Sequence, residues 1–302
     1  YINDSLSFWK EKINSIEKKL RSILKFGKLY IVATPIGNRA DISNRSLEIL
    51  SMVDFIAAED TRKTRHLISS FGIKQKIISF HDHNEKSIVK KLINKIKDGN
   101  TIALVSDAGT PCINDPGYTL VKFAREENID VLPIPGASSI ISALSVSGMP
   151  IDSFCYEGYL PAKSEKRKSK LMELIGENRT IIFLVSVHKI KDSVDDLILI
   201  FGNNRECFIA REMTKMHEQY VKCDLQELSL KIKNQVIPVK GEFILIIEGS
   251  KKKNSSNDLL LAKKIIPELI HTNSSSEIIN LISKTTTLKR NEIYKIILEM
   301  KN

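Results

Sequence analysis

Two fingerprints are missing where a nucleotide-binding chain would carry them. No GxGxxG follows the first apolar run, and no GxxxxGKS occurs anywhere, which excludes the dinucleotide fingerprint and the P-loop. Cysteine is scarce: Cys112, Cys155, Cys207 and Cys223 are scattered, with no CxxC. That spacing argues against a disulfide framework or zinc cluster and fits a reducing, cytoplasmic setting. Long hydrophobic runs are absent too. Stretches such as FILII and LILIF fall far short of the roughly 20 residues a membrane-spanning helix needs, so no membrane partner is expected.

What is present points to a globular protein. The chain has 302 residues, 42% of them hydrophobic, enough for two ordinary domains. Its formal net charge is +10, and a basic surface attracts phosphate-rich partners such as nucleic acid. A Lys-, Asn- and Ile-rich composition, as expected of an AT-rich genome, would produce the same excess on solvated faces. Charge by itself leaves both readings open.

Residues 1–27 read as a basic helical leader, with Phe8, Ile13, Ile16, Leu20 and Leu24 near helical spacing. It has no signal-peptide core, and Glu11 and Glu17 disfavour a transit peptide. From Lys28 strands and helices alternate. Strands are expected at 29–34, 54–58, 76–80, 101–106 and 130–134. Helices are expected at 46–52, 64–71, 87–97 and 118–127, with PGASS opening another. Such alternation with short loops predicts right-handed βαβ units and a parallel sheet. This N-terminal α/β domain spans 28–150. A second α/β domain covers 151–250, with strands near 155–159, 180–185, 206–211 and 242–248. KKKNSSND (251–258) reads as a polar linker within a C-terminal helical region, 251–302. There Ser274 and Glu277 have capping-box spacing, a turn is expected at 285–288, and a last helix at 289–300. Its outline suggests a helix-turn-helix with Lys284, Lys289, Arg290 and Lys295 nearby; a packing or dimerisation tail is the preferred reading.

Polar clusters collect at the C-terminal ends of the expected strands: TPIGN (34–38), AEDTR (58–62), HDHNE (81–85), SDAGTP (106–111) and PIPGASS (133–139). Open α/β sheets bind ligands at that rim. In SDAGTP, Asp107 can accept hydrogen bonds from an amine or ribose hydroxyl. Gly109 permits close backbone approach. Each cluster alone is ordinary turn chemistry; five on one rim suggest a binding site.

LYIVATPIGN, AEDTR, HDHNE, LVSDAGTPCINDPG and PIPGASS, in this order, resemble the ribosomal RNA small subunit methyltransferase I family, of the tetrapyrrole methylase superfamily. FCYEGYLPAKS (154–164), AREMTK (210–215) and KGEFILIIEG (240–249) extend the likeness to residues 28–302, through the tail KRNEIYKIIL. The resemblance implies two α/β domains of the tetrapyrrole methylase type, with the cofactor S-adenosyl-L-methionine in the cleft between them, and a homodimer. It implies 2′-O-methylation of a cytidine in small-subunit (16S) ribosomal RNA at the decoding centre, with the small ribosomal subunit or its rRNA as partner. Carried onto this sequence, it places Pro35, Ser106, Asp107, Ala108, Gly109, Thr110, Pro135 and Gly136 at the cofactor, with Met213 and Thr214 from AREMTK.

Methyl transfer to a ribose hydroxyl needs in-line alignment, and either a base for the proton or a cation for the alkoxide. Glu59 and Asp60 are the expected base or positioner, Arg62 the phosphate grip, and Lys163 the contact to RNA or alkoxide. The competing readings are structural: Glu59-Asp60-Thr61 caps a helix, and Lys163 heads KSEKRKSK, a run that reads as a solvated face. His81, His83 and Glu85 are expected to position substrate or join rim loops. His81 and His83 would share one side if the strand continued, but the spacing matches no strong zinc signature, and no metal is expected.

The chain departs from the family pattern at FLVSVHKI (183–190), where Val185 replaces an expected Glu and Lys189 an expected Arg. Arg39 stands where Leu is usual. Lys cannot reproduce a planar bidentate contact. These departures motivate one alternative to the rRNA enzyme, a catalytically degenerate ribosomal RNA-binding protein; a small-molecule tetrapyrrole methylase on the same fold is the other.

Overall fold

The computed structural model describes residues 27–250, 255–286 and 288–301. Apart from Gly27, the leader expected at 1–27 lies outside the described residues, as do residues 251–254 of the expected linker. One compact unit runs to Ser145 and also takes in Glu212–Glu218. The other holds Val146–Arg211 and the described residues from Gln219 onward.

The first unit is an all-parallel sheet in the order β3-β2-β4-β1-β5. Its strands are β1 (Leu29–Val32), β2 (Phe55–Ala58), β3 (Ile77–Ser79), β4 (Ile102–Val105) and β5 (Val131–Ile134). The central strands are apolar throughout because both faces are covered. Tyr30, Val32, Ile56 and Ala103 face α1 (Asn44–Met52) and α2 (Thr61–Ser69); Leu29, Ala57, Ile102 and Leu104 face α3 (Glu85–Lys97) and α4 (Tyr118–Glu126). The expected strands all form, each one or two residues shorter than its apolar run. Thr34, expected to end the first strand, makes only an isolated bridge to Gly109. α5 (Ser139–Val146) follows β5.

Connectivity creates a switch point. From β1 the chain crosses beyond β4 to reach β2; from β4 it crosses beyond β1 to reach β5. The helices that follow β1 and β4 lie on opposite faces of the sheet. The crevice at the C-terminal ends of these two strands is the favoured ligand position in such sheets.

The second unit holds a mixed sheet, β6-β7-β10-β8-β9, formed by β6 (Phe154–Tyr159), β7 (Thr180–Val185), β8 (Glu206–Arg211), β9 (Gln219–Asp224) and β10 (Phe243–Ile247). Only β6 and β7 pair in parallel; β10 runs antiparallel to both its neighbours. α6 (Ser164–Glu173), α7 (Ile190–Phe201) and α8 (Leu225–Lys233) accompany it. The edge strand β9 is absent from the sequence expectation. Its residues, QYVKCD, are half-exposed and place Lys222 mid-strand, which weakens any apolar signal.

The tail is α9 (Ser255–Leu269), α10 (Ser275–Thr285) and α11 (Arg290–Lys301). Helix α9 already includes Ser255–Asp258, so the expected linker is shorter than its polar composition suggested. Ser274 and Glu277 form the expected reciprocal capping box. The three helices share a core of Ala262, Ile266, Ile278, Ile282, Leu288, Ile293, Ile296 and Ile297.

Candidate active site

Loops after β1, β4 and β5 are joined into one wall at the switch point. Thr34 and Gly109 exchange backbone hydrogen bonds of 2.9 and 3.0 Å. The Thr34 hydroxyl donates to the Ser106 carbonyl at 3.1 Å, and the Thr110 hydroxyl to the Ala137 carbonyl at 3.1 Å. Gly109 has φ +79°, a conformation that favours glycine. A Cβ on Gly136 would lie 2.9 Å from the Ala33 Cβ, so the β5 loop can lie against β1 only without a side chain there. Pro35, Ser106, Asp107, Ala108, Gly109, Thr110, Pro135 and Gly136 thus lie in loops that the structure joins. Pro135, Gly136 and Ala108 are exposed; Ser106 and Gly109 are buried.

Asp107 ties the loop after β2 to this wall. Its Oδ1 accepts from the Asp60 backbone N–H at 3.0 Å, and its Oδ2 pairs with Lys63 Nζ at 2.7 Å. That hydrogen bond raises the Lys63 pKa above its ordinary value. The Asp107 N–H donates in turn to Glu59 Oε2 at 3.4 Å. Asp60 acts as the N-cap of α2, accepting from Arg62 N at 2.8 Å, and its carboxylate chelates the Arg62 guanidinium. Hydrogen bonds from the Arg62 side chain and backbone hold the Asp60 carboxyl well below the usual carboxylate range. The capping reading of EDTR therefore describes Asp60. Arg62 remains strongly exposed beyond that chelate.

A further acid enters from the far end of the SDAGTPCINDPG loop. Burial pushes the Asp115 carboxyl up to about 6; Glu59, Asp107 and Asp82 add to the rise, and a Ser106 hydrogen bond opposes it. The sequence presents Asp115 as turn chemistry in DPG, and only the fold brings it to Glu59. Folding raises this pKa above the ordinary 3.8. Its neutral form is therefore favoured in the folded state, and the associated stability, complete below that value, is lost as pH rises through about 6. Asp115→Asn should match the wild type in unfolding free energy near pH 3.5 and exceed it by about 1–3 kcal/mol at neutral pH. Urea titrations at the two pH values check this.

The short segment returned to the first unit completes the cluster. Met213 is buried, and Thr214 Oγ1 accepts from Asn38 N at 3.0 Å. A Cβ on Gly37 would sit 2.5 Å from Thr214 Oγ1 and 2.9 Å from the Met213 carbonyl, so TPIGN and EMTK require each other's shape. Thr214 has φ +62° and Glu212 φ +50°. A β-branched residue in that region is strained; here the Thr214 N–H is held by Glu218 Oε2 at 2.9 Å.

HDHNE does not continue β3. The strand stops at Ser79, and His81 turns the chain, its carbonyl accepting from the backbone N–H groups of Asn84 and Glu85 at 2.9 Å. The strand face that a continued strand would have given His81 and His83 is therefore absent; their rings meet edge-on, with centroids 5.9 Å apart. Glu85 Oε1 accepts from Thr119 N at 3.1 Å, joining this turn to the start of α4.

Lys163 lies in the other unit, exposed at the N-cap of α6. KSEKRKSK is not wholly a solvated face. Arg167 is 1% exposed. It pairs with Asp196 through Nη2 at 2.6 Å and Nε at 2.8 Å, and its Nη1 donates to the carbonyls of Pro161 and Ala162. Sequence reading overlooks this buried brace because it sits among five solvent-compatible charges. Of the family departures, Val185 is core, paired with Phe243. Lys189 pairs with Asp192 at 3.1 Å, and Arg39 Nη2 contacts His66 Nε2 at 2.6 Å.

Comparison with known proteins gives a consistent picture. A family model described as tetrapyrrole (corrin/porphyrin) methylases matches residues 28–229. A ribosomal RNA small subunit methyltransferase I from Escherichia coli O157:H7 is 44% identical over 275 residues, covering 90% of this chain and 95% of the relative. The like-named protein of Haemophilus influenzae is 42% identical, covering 89% and 95%. Among solved structures, a cobalt precorrin-4 methyltransferase aligns with a TM-score of 0.54 at 18% identity, covering 72% of this chain and 94% of that one. A uroporphyrin-III C-methyltransferase from Thermus thermophilus, complexed with S-adenyl homocysteine, aligns with a TM-score of 0.52 at 14% identity, covering 74% and 97%.

Proposed function

Because the chain belongs to the tetrapyrrole methylase family, in its ribosomal RNA small subunit methyltransferase I branch, we propose that it methylates small-subunit ribosomal RNA. The methyl donor is S-adenosyl-L-methionine and the acceptor the ribose 2′-oxygen of a decoding-centre cytidine. The observation that carries this reading is relatedness above 40% along almost the whole length of proteins named for that substrate. Cytoplasmic location and a homodimer belong to the same proposal; among the described residues, no helix is long and apolar enough to cross a membrane.

The residues present suit the cofactor. A wall of loop backbone, exposed at Ala108, Pro135 and Gly136 and flanked by Asp107 and the Thr214 turn, offers close approach and polar anchors for a nucleoside with an amino-acid tail. Pro35, Ser106, Asp107, Ala108, Gly109, Thr110, Pro135, Gly136, Met213 and Thr214 would hold it. When bound, the cofactor supplies a methyl group on a sulfonium. The chain must align the attacking hydroxyl with it and take up one proton. Asp60 is committed to its cap and to Arg62, which leaves the Glu59 and Asp115 carboxylates as the bases for that proton. Arg62, Lys163, His81, His83 and Glu85 are assigned to the RNA.

The test is methyl transfer from labelled S-adenosylmethionine to unmodified small ribosomal subunits, naked rRNA and a tetrapyrrole in parallel. Label in RNA, strongest with subunits, is expected. Label in the tetrapyrrole alone would overturn the substrate assignment. Cofactor binding without transfer to any acceptor would favour the degenerate RNA-binding protein.

A further inference from the structure

The cysteines look unrelated in sequence, yet register brings two together. Cys207 on β8 and Cys223 on β9 are directly opposite in the antiparallel ladder. Opposed residues have Cα atoms about 4.5–5.5 Å apart with side chains on one face, inside the about 4.4–6.8 Å window of disulfides. Both are free thiols. Cys207 is fully buried, whereas Cys223 is half-buried on an edge strand.

We propose that Cys207 and Cys223 form a redox modification site, closing reversibly into an intramolecular disulfide when the protein meets a small-molecule disulfide. Cys223 is the entry thiol. Its pKa is lowered, chiefly by the interaction with Cys207 and slightly by Lys231, against burial and Glu227, which raise it. Cys207 shifts the other way, raised by the interaction with Cys223 and by burial. The remaining thiols, Cys112 and Cys155, are each pushed up to about 11, chiefly by burial, and do not compete as nucleophiles.

The chemistry balances in two exchanges. The Cys223 thiolate attacks one sulfur of the small disulfide, forming a mixed disulfide and releasing one thiolate. Cys207 then gives up its proton and attacks the Cys223 sulfur, releasing the second thiolate. Two protein thiols are oxidised and one small disulfide is reduced to two thiols.

The bridge would close the stretch that carries Glu212–Glu218, and with it Met213 and Thr214. It would also fasten β9, which pairs on one side only, against fraying. A reversible bond of this kind suits a reducing compartment that is transiently oxidised.

The experiment treats the native chain with oxidised glutathione, then denatures and alkylates it. Of the four cysteines, Cys112 and Cys155 alone should alkylate, and peptide mapping should recover Cys207 linked to Cys223. A dithiol reductant should restore all four. Cys207→Ser should trap glutathione on Cys223, because the resolving thiol is gone. Four alkylatable thiols in the oxidised wild type would overturn the proposal, as would stable glutathione on wild-type Cys223 without the cross-link. The masses are read directly on the wild type, so the outcome does not depend on the variant folding. It is also independent of the methyl-transfer reading.

Discussion

Arg167→Ala is expected to lower the unfolding free energy by about 3–5 kcal/mol, because it leaves the Asp196 carboxylate buried without its main partner. The guanidinium makes two contacts to Asp196 and two more to the carbonyls of Pro161 and Ala162. Lys168, at 3.5 Å and partly exposed, is too loosely placed to replace it. Against a total stability of about 5–15 kcal/mol for an ordinary domain, the loss would be severe. The same brace shapes the turn before Lys163, so RNA-dependent activity should fall with it. Replacing Arg167 and Asp196 together by apolar residues of similar volume should cost clearly less, since no buried charge is then orphaned. Denaturant titration of both variants checks the pair; equal losses would mean that packing, not charge, sets the cost.

Asp107→Ala should weaken S-adenosylmethionine binding by about 10–100-fold, the worth of one or two hydrogen bonds to a charged group. Two effects combine. The carboxylate itself is lost as an anchor, and the loop after β2 is released, because Asp107 holds both the Asp60 N–H and Lys63. Asp107→Asn separates them. It keeps an acceptor for the Asp60 N–H but gives up the ion pair, and should fall between the wild type and the alanine variant. Calorimetric titration with the cofactor measures all three. An unchanged dissociation constant for Asp107→Ala would remove Asp107 from the site.

The first sheet is legible in the sequence because its strands are buried on both faces. LYIV, FIAA and IALV are apolar runs ended by turn residues, and the helices between them repeat at helical spacing. β9 is not, because an edge strand with one wet face carries Lys222 and Gln219 without penalty. The site divides the same way. The rim loops announce themselves by glycine, proline and acids at strand ends. Partnerships across the sheet do not: Asp107 with Lys63, Asp115 beside Glu59, and Gly37 against Thr214 depend on topology. HDHNE misleads because its alternation does not show that the strand stops at Ser79, where Asn84 turns the chain by accepting from His81 N. Cys207 and Cys223 are the clearest case: the sequence separates them, and register sets them face to face.

Ribose methylation by this protein is tested by nucleoside analysis of small ribosomal subunits after incubation with the protein and methyl-labelled S-adenosylmethionine. Ribonuclease digestion followed by mass spectrometry distinguishes a methyl on the ribose from one on the base. Label is expected in 2′-O-methylcytidine, reduced with Asp107→Ala. Label confined to a base, or to a nucleoside other than cytidine, would contradict that reading.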